Sequence, residues 1–228
     1  MDRFQYRFSG KLSETIASRK REANVRSHIE RQLNRVFAFA ICMTAFFALP
    51  RTGCAQVPTY EVTTEESSIK FGVDSSVSIK GNFEKWNASI KFSSRDVRTA
   101  VVDIEIEAGS VNTGSHMKDN KLKGKDFFNV EESPTITFKS TKIVQTGLYT
   151  FDIEGNFTIR GVTKTEKLTL TSDSKGTPSG RLDGIMAFDR KDYGMTSGIP
   201  FIKIANRVEV SVRLKWRRVS GPPPEFQQ

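Results

Sequence analysis

The stretch that decides the fold is NTGSHMKDNKLKGKDFFNVEESPTITFKST, Asn112 to Thr141. It is the one place where an otherwise strand-like pattern breaks, and it lies in mid-chain, so any sheet must close around it. Ser115 is placed to cap a first helical turn and Gly124 to stop it in a left-handed conformation, which predicts a short helix over about Met117–Lys123. Lys118, Lys121, Lys123 and Lys125 stand there against Asp119 and Asp126. Phe127 and Phe128 follow as an aromatic pair that gains by burial. A basic lip beside an apolar plug suits the mouth of a cavity; a charged connector between two strands is the plainer reading of the same residues.

Outward from this stretch in both directions the hydrophobic period is two. Ile69, Phe71 and Val73 alternate with Ser68, Lys70 and Gly72, and Val77, Ile79 and Phe83 resume the pattern after a bend at Ser75-Ser76. Trp86, Ala88, Ile90 and Phe92 follow and end at the turn-forming run 93–96. Val102, Ile104, Ile106 and Ala108 make the cleanest strand, because Asp103, Glu105 and Glu107 all point the other way. Beyond Pro134, placed where a missing amide does least harm, Ile136 and Phe138 open a strand toward Ile143. Tyr149, Phe151, Ile153, Phe157 and Ile159 come next, then Leu168 and Leu170, then Leu182, Met186 and Phe188, and last Val208, Val210, Val212, Leu214 and Trp216.

About eight strands, tight turns and no long helix predict an all-β protein: a single antiparallel β-barrel with a short helix near its mouth. With one sheet and no covering helices, closure hides the dry face of Phe, Ile and Trp and removes the edges. A two-sheet sandwich is the other solution. An outer-membrane barrel would turn its apolar residues outward, which the clustered Asp103, Glu105 and Glu107 oppose. Residues 56–219 would form this domain, and 220–228, with Pro222-Pro223-Pro224, a disordered tail.

The chain of 228 residues carries a formal net charge of +9, which invites a nucleic-acid reading. Of its 35 basic and 26 acidic residues, ten and four fall in residues 1–55, leaving 25 and 22, or +3, for residues 56–228. Residues 1–55 read as a targeting segment to be cleaved: basic residues up to Arg35 precede the apolar run Val36–Leu49, too short for a bilayer span of about 20 residues but suited to a signal peptide. Gly53 and Ala55 take the minus-three and minus-one positions before Gln56. The expected location is therefore periplasmic or secreted. Lipidation at Cys54 competes with this, although Arg51 stands where a lipobox wants an aliphatic residue; an uncleaved anchor is a third reading. Cys42 and Cys54 are the only cysteines, so residues 56–228 have no disulfide, thiol nucleophile or cysteine metal site.

Catalytic constellations are missing from the pattern. His116 is the only histidine of residues 56–228, which excludes a multi-histidine metal site and leaves any triad dependent on it. It reads as a solvated loop residue or as a donor to a ligand headgroup. No P-loop, dinucleotide fingerprint or G-x-S-x-G occurs. The lysines of 118–125 lack an aromatic stacking platform, so nucleic acid is set aside. What remains is the apolar interior, which would hold either a ligand or only its own side chains.

Three segments resemble the YceI-like family in order along the chain. The first is Asn112–Gly114 with Lys118–Leu122, Asp126–Val130 and Ser133–Thr141; the second is Gly155–Lys164; the third is Phe188–Gly194, followed by a closing strand at Val208–Val212. The likeness covers about Thr63 to Val219. It implies a lipocalin-like barrel that holds an isoprenoid quinone, a polyprenyl lipid or a similar long-chain amphiphile without catalysis, with no cofactor beyond that bound lipid; a homodimer stays open. Under this reading Phe71, Trp86, Ile104, Phe127, Phe128, Phe138 and Phe157 line the tunnel, and His116, Lys118 and Asp119 lie near the headgroup. Family members often carry histidine and arginine where this chain has Lys121 and Lys123, and often an early histidine where it has Asp74 or its neighbours. The competing reading is a solid-cored module that binds an envelope protein through the basic helix and the 189–204 loop.

Overall fold

Along the last strand, Val208, Val212, Leu214 and Trp216 are buried while Glu209, Ser211 and Arg213 are exposed, the alternation of a sheet with one dry face. The computed structural model describes residues 56–76, 79–174, 177–198 and 202–226. The expected signal segment 1–55 with Cys42 and Cys54, and also Val77, lie outside these.

Ten strands form one antiparallel sheet: β1 (Thr59–Ser75), β2 (Ile79–Phe83), β3 (Trp86–Phe92), β4 (Ala100–Glu107), β5 (Val111–Asn112), β6 (Thr135–Gly147), β7 (Thr150–Ile159), β8 (Val162–Ser172), β9 (Ser179–Asp189) and β10 (Ile204–Ser220). The one α-helix among the described residues, α1 (His116–Lys123), lies between β5 and β6. The count exceeds the eight or so that the pattern suggested, partly because β5 is too short for any period to register. The lateral order is β3-β4-β6-β7-β8-β9-β10-β1-β2-β5.

The sheet is curled, and β2 and β3 explain how its ends meet. They are consecutive in the chain, separated only by Glu84-Lys85, yet β2 ladders onto β1 while β3 ladders onto β4. One nearly continuous run, 79–92, therefore bridges the two ends of the sheet. The step is fixed by the Glu84 N–H on the Ser110 carbonyl (3.1 Å) and the Glu107 N–H on the Lys85 carbonyl (3.0 Å).

Curvature also appears as close approach. A Cβ at Gly155 in β7 would stand 2.6 Å from the Phe138 ring and 2.7 Å from the Lys139 carbonyl, so the ring lies directly on the β7 backbone. In β1, residues 64–67 bulge between the pairs Thr63–Lys215 and Ser68–Arg213. Ser67 staples that bulge by accepting from the Lys215 N–H at 2.8 Å.

Three local expectations are corrected. Ser115 makes no side-chain cap; its carbonyl accepts the Asp119 N–H instead (2.9 Å). Gly124 is not left-handed (φ −69°), because α1 ends by wrapping onward, with the Phe128 N–H on the Leu122 carbonyl (2.9 Å) and the Val130 N–H on the Lys123 carbonyl (3.1 Å). The left-handed residue of this turn is Asn129, φ 51°. Nor is the tail disordered through residue 226. It is clipped to the chain near β3: the Glu225 N–H donates to the Arg95 carbonyl (2.7 Å), the Val97 N–H to the Glu225 carbonyl (3.3 Å), and Arg95 pairs with the Glu225 carboxylate (2.9 Å).

Candidate functional site

The inward faces leave two cavities, one at each end of the barrel. The larger, about 400 Å³, lies at the α1 end. Aromatic clusters bound it on two sides. Phe71, Phe83 and Phe128 pack with ring centroids 5.5 to 6.1 Å apart. Phe157, Phe188 and Tyr193 pack at 5.1 to 5.4 Å. These tilted and edge-on arrangements are ones that aromatic pairs favour.

Loops at this end are tied together by one side chain. The hairpin between β7 and β8 turns through Arg160 (φ 55°) and Gly161 (φ 73°), the left-handed pair of a two-residue turn. From that tip the Arg160 guanidinium donates to the Lys125 carbonyl (2.9 Å) and to the Gly194 carbonyl. The segment after α1 and the turn after β9 are thereby held to one anchor.

α1 roofs the cavity. Leu122 is buried and lines it with Phe127 and Phe128, and Met117, Lys118 and Lys121 line it from the same helix. Met117 is 83% exposed, an apolar side chain held out at the rim. Lys121 pairs with Asp126 (2.6 Å) and stands 5.8 Å from the centroid of the Phe127 ring. The Lys121 hydrogen bond, joined by one from Ser197, holds the Asp126 carboxyl below the usual range.

Arg190 completes the lining at the end of β9. It is 6% exposed, and its Nε and Nη1 donate to the carbonyls of Ala205 (3.2 Å), Met195 and Ser197 (2.9 Å).

The ten residues singled out from sequence divide. Phe71, Phe127, Phe128, Phe157 and Lys118 line this cavity. Ile104 and Phe138 line neither cavity: they are cross-strand partners on β4 and β6, and the Phe138 ring is spent against Gly155. Trp86 also lines neither; it is half-buried beside the core. His116 is exposed. Asp119 is buried, but its carboxylate accepts from the Thr113 N–H (2.8 Å) and hydroxyl (2.7 Å), which assigns it to holding the loop before α1. Phe83, Phe188, Met195 and Arg190 were not singled out. The alternation in β2 and β9 could have found Phe83 and Phe188, whereas nothing in the pattern marks Arg190 as inward-facing.

The smaller cavity, about 100 Å³, lies at the opposite end among Tyr60, Phe92, Phe151 and Trp216, and the tail residues Pro223, Pro224 and Phe226 close it. The Phe226 ring packs against Tyr149 (5.6 Å) and Phe151 (6.2 Å). Among the described residues, no group of three or more His, Cys, Asp or Glu is placed to hold a metal, and no helix is long and apolar enough to cross a membrane.

A sequence profile described as a YceI-like domain matches residues 60–216. The chain is similar to a UPF0312 protein of Azotobacter vinelandii, 36% identical over 84 residues that make up 37% of this chain and 44% of that protein. A UPF0312 protein of Pseudomonas aeruginosa is 33% identical over 120 residues, 50% of this chain and 62% of that one. The aligned part thus spans about half the length of these curated relatives. Among solved structures, Burkholderia cenocepacia BcnA superposes with a TM-score of 0.62 at 22% identity, covering 68% of this chain and 99% of its own. A polyisoprenoid binding domain from Saccharophagus degradans, implicated in plant cell wall breakdown, gives 0.53 at 14% identity, with 71% and 99% covered. These structural likenesses carry the fold.

Proposed function

The chain belongs to the YceI-like family, and from that premise we propose that it binds a long-chain isoprenoid lipid or similar amphiphile, apolar chain inward, in the α1-end cavity. The observation that carries the reading is the cavity: about 400 Å³, within the range of small-molecule sites, and walled by Phe, Ile and Val side chains. Each 100 Å² of ligand surface withdrawn from water there is worth about 2.5 kcal/mol, so a chain of a few isoprene units binds without any specific polar contact. The structural neighbour described as a polyisoprenoid binding domain supports the same ligand class. An interior of this size weighs against a solid-cored interaction module. The role is one of holding rather than converting the ligand, and the basic-then-apolar segment of residues 1–55 supports an extracytoplasmic location.

Native mass spectrometry of the protein taken from its own envelope without detergent, followed by extraction of what leaves it, tests the reading. A bound species with isoprene spacing is expected. Val210→Trp, which fills the cavity from a half-buried wall position, should lower lipid occupancy at unchanged circular dichroism. An empty protein that takes up neither added polyprenol nor added quinone overturns it.

A further inference from the structure

Among the described residues, the charged ones that line the large cavity are Lys118, Lys121 and Arg190, with no Asp or Glu. Lys121 is answered by Asp126, so the charge that stands out is Arg190. Arg190 is buried, 6% exposed, at the cavity wall, yet among the described residues it pairs with no carboxylate. Its partners are three neutral carbonyls, which use the Nε and Nη1 protons, and no described acceptor takes Nη2. A buried cation is ordinarily matched by an anion, because carbonyl dipoles offset only part of its desolvation cost. The neighbouring acids are otherwise engaged: Asp192 with Lys164 (3.2 Å), Asp189 with the Lys191 N–H (2.8 Å) and Asp126 with Lys121 and Ser197.

We infer that the cavity selects amphiphiles whose headgroup carries an anionic oxygen, a phosphate or a carboxylate, with Arg190 as the specificity-determining residue and Lys118 reinforcing it from α1. The inference rests on the lipid-binding reading above and narrows its ligand class. The three carbonyls hold the guanidinium in one orientation, so little entropy is lost when an oxyanion docks on it. Its planar fork suits either headgroup. A neutral head, alcohol or quinone, forgoes the charge-assisted hydrogen bonds that an oxyanion makes.

The test compares probes of matched chain: farnesyl phosphate against farnesol, and palmitate against palmitamide, with ubiquinone as a neutral reference, followed by isothermal titration calorimetry and native mass spectrometry. A charge-assisted pair corresponds to roughly ten- to hundredfold tighter binding of the anionic member, weakening as salt rises. Preference for farnesyl phosphate alone assigns a prenyl phosphate, and preference for palmitate alone assigns a fatty acid. Arg190→Gln should bring each pair to within about threefold of one another while sparing the neutral member, and Arg190→Lys should restore part of the preference. Should Arg190→Gln fail to fold, Lys118→Gln, half-buried in α1 at the cavity lining, should still reduce the preference. Equal binding of anionic and neutral probes by the native chain would reduce Arg190 to a staple for the carbonyls of Met195, Ser197 and Ala205 and overturn the inference, leaving lipid binding intact. Failure of every probe to bind would remove the lipid-binding reading itself.

Discussion

The Asp119 carboxylate accepts both the backbone N–H and the hydroxyl of Thr113, at 2.8 and 2.7 Å. These bonds tie α1 to the loop that precedes it, and through α1 they hold the roof of the large cavity. The Thr113 hydrogen bond is the main reason that the Asp119 carboxyl lies below its usual pKa, against the opposing effect of burial. A depressed folded-state pKa contributes stability that is present above the unfolded value and lost as the pH falls through the folded one. The roof should therefore loosen below about pH 4. Amide hydrogen exchange in residues 113–123 should accelerate on acidification in the native chain. In Asp119→Ala it should already be fast at neutral pH, with a stability loss of about 1–3 kcal/mol. Equal exchange in both proteins would deny the tether.

Gly155 is required by the ring of Phe138. Because a Cβ would stand 2.6 Å from that ring and 2.7 Å from the Lys139 carbonyl, Gly155→Ala must displace either the ring or the β7 backbone. The expected cost is about 1–3 kcal/mol, a fall in Tm of roughly 2–4 °C per kcal/mol for a domain of this size. The double variant Gly155→Ala with Phe138→Leu should recover part of it, because the smaller side chain vacates the site. Thermal unfolding of Gly155→Ala, Phe138→Leu and the double variant decides, and no recovery would place the strain in the backbone.

Tyr193 has no exposed surface, and its hydroxyl donates to Glu166 Oε1 at 2.8 Å. Burial first, and the carboxylate second, push its phenol well above the ordinary value. Stability from the neutral phenol is present below the unfolded pKa near 10 and lost as pH rises through the folded one. In an absorbance titration Tyr193 should ionise only as the protein unfolds. Tyr193→Phe should cost about 1 kcal/mol at neutral pH and shift alkaline unfolding upward. A phenol that titrates normally in the folded state would contradict the geometry.

How much of this was legible follows from what each element depends on. β4 was plain because Val102, Ile104 and Ile106 are buried while Glu105 and Glu107 are exposed, so burial and sequence share one period. The first half of β1 was not: TYEVTTEESS has few apolar residues and a bulge resets its phase at 64–67. Alternation told that Ile104 and Phe138 point inward, but not that they fill the barrel while Phe71 and Phe157 border empty space. That distinction depends on Gly155, on the neighbouring strand β7, letting the Phe138 ring settle on the backbone. Arg190 was invisible for a related reason. Its three partners are the carbonyls of 195 and 197, just past the turn after β9, and of 205 in β10, and no local sequence pattern announces that return.

The tail behaves as a stopper for the small cavity. Gly221 turns it with φ +79°, a conformation suited to glycine, in close contact with the Val57 carbonyl. Glu225 then locks onto Arg95 through its backbone and its carboxylate, and Phe226 sets its ring against Tyr149 and Phe151. Beneath it lie Tyr60, Phe92 and Trp216, with the Trp216 Nε1 buried and without a partner among the described residues. Removing residues 222–228 should uncover these rings, raise the fluorescence of an added apolar dye such as ANS and quench-expose Trp216 to acrylamide. The stability loss should be about 1–3 kcal/mol, the range of an ordinary packing loss rather than of a broken core. Arg95→Ala, which removes the ion pair but keeps the backbone clip, should cost under about 1 kcal/mol because both partners are largely solvated. Phe226→Ala should fall between the two. If the truncated chain melts where the full chain does and binds no more dye, the tail merely rests on the barrel, and the small cavity is closed by Tyr60 and Phe92 alone.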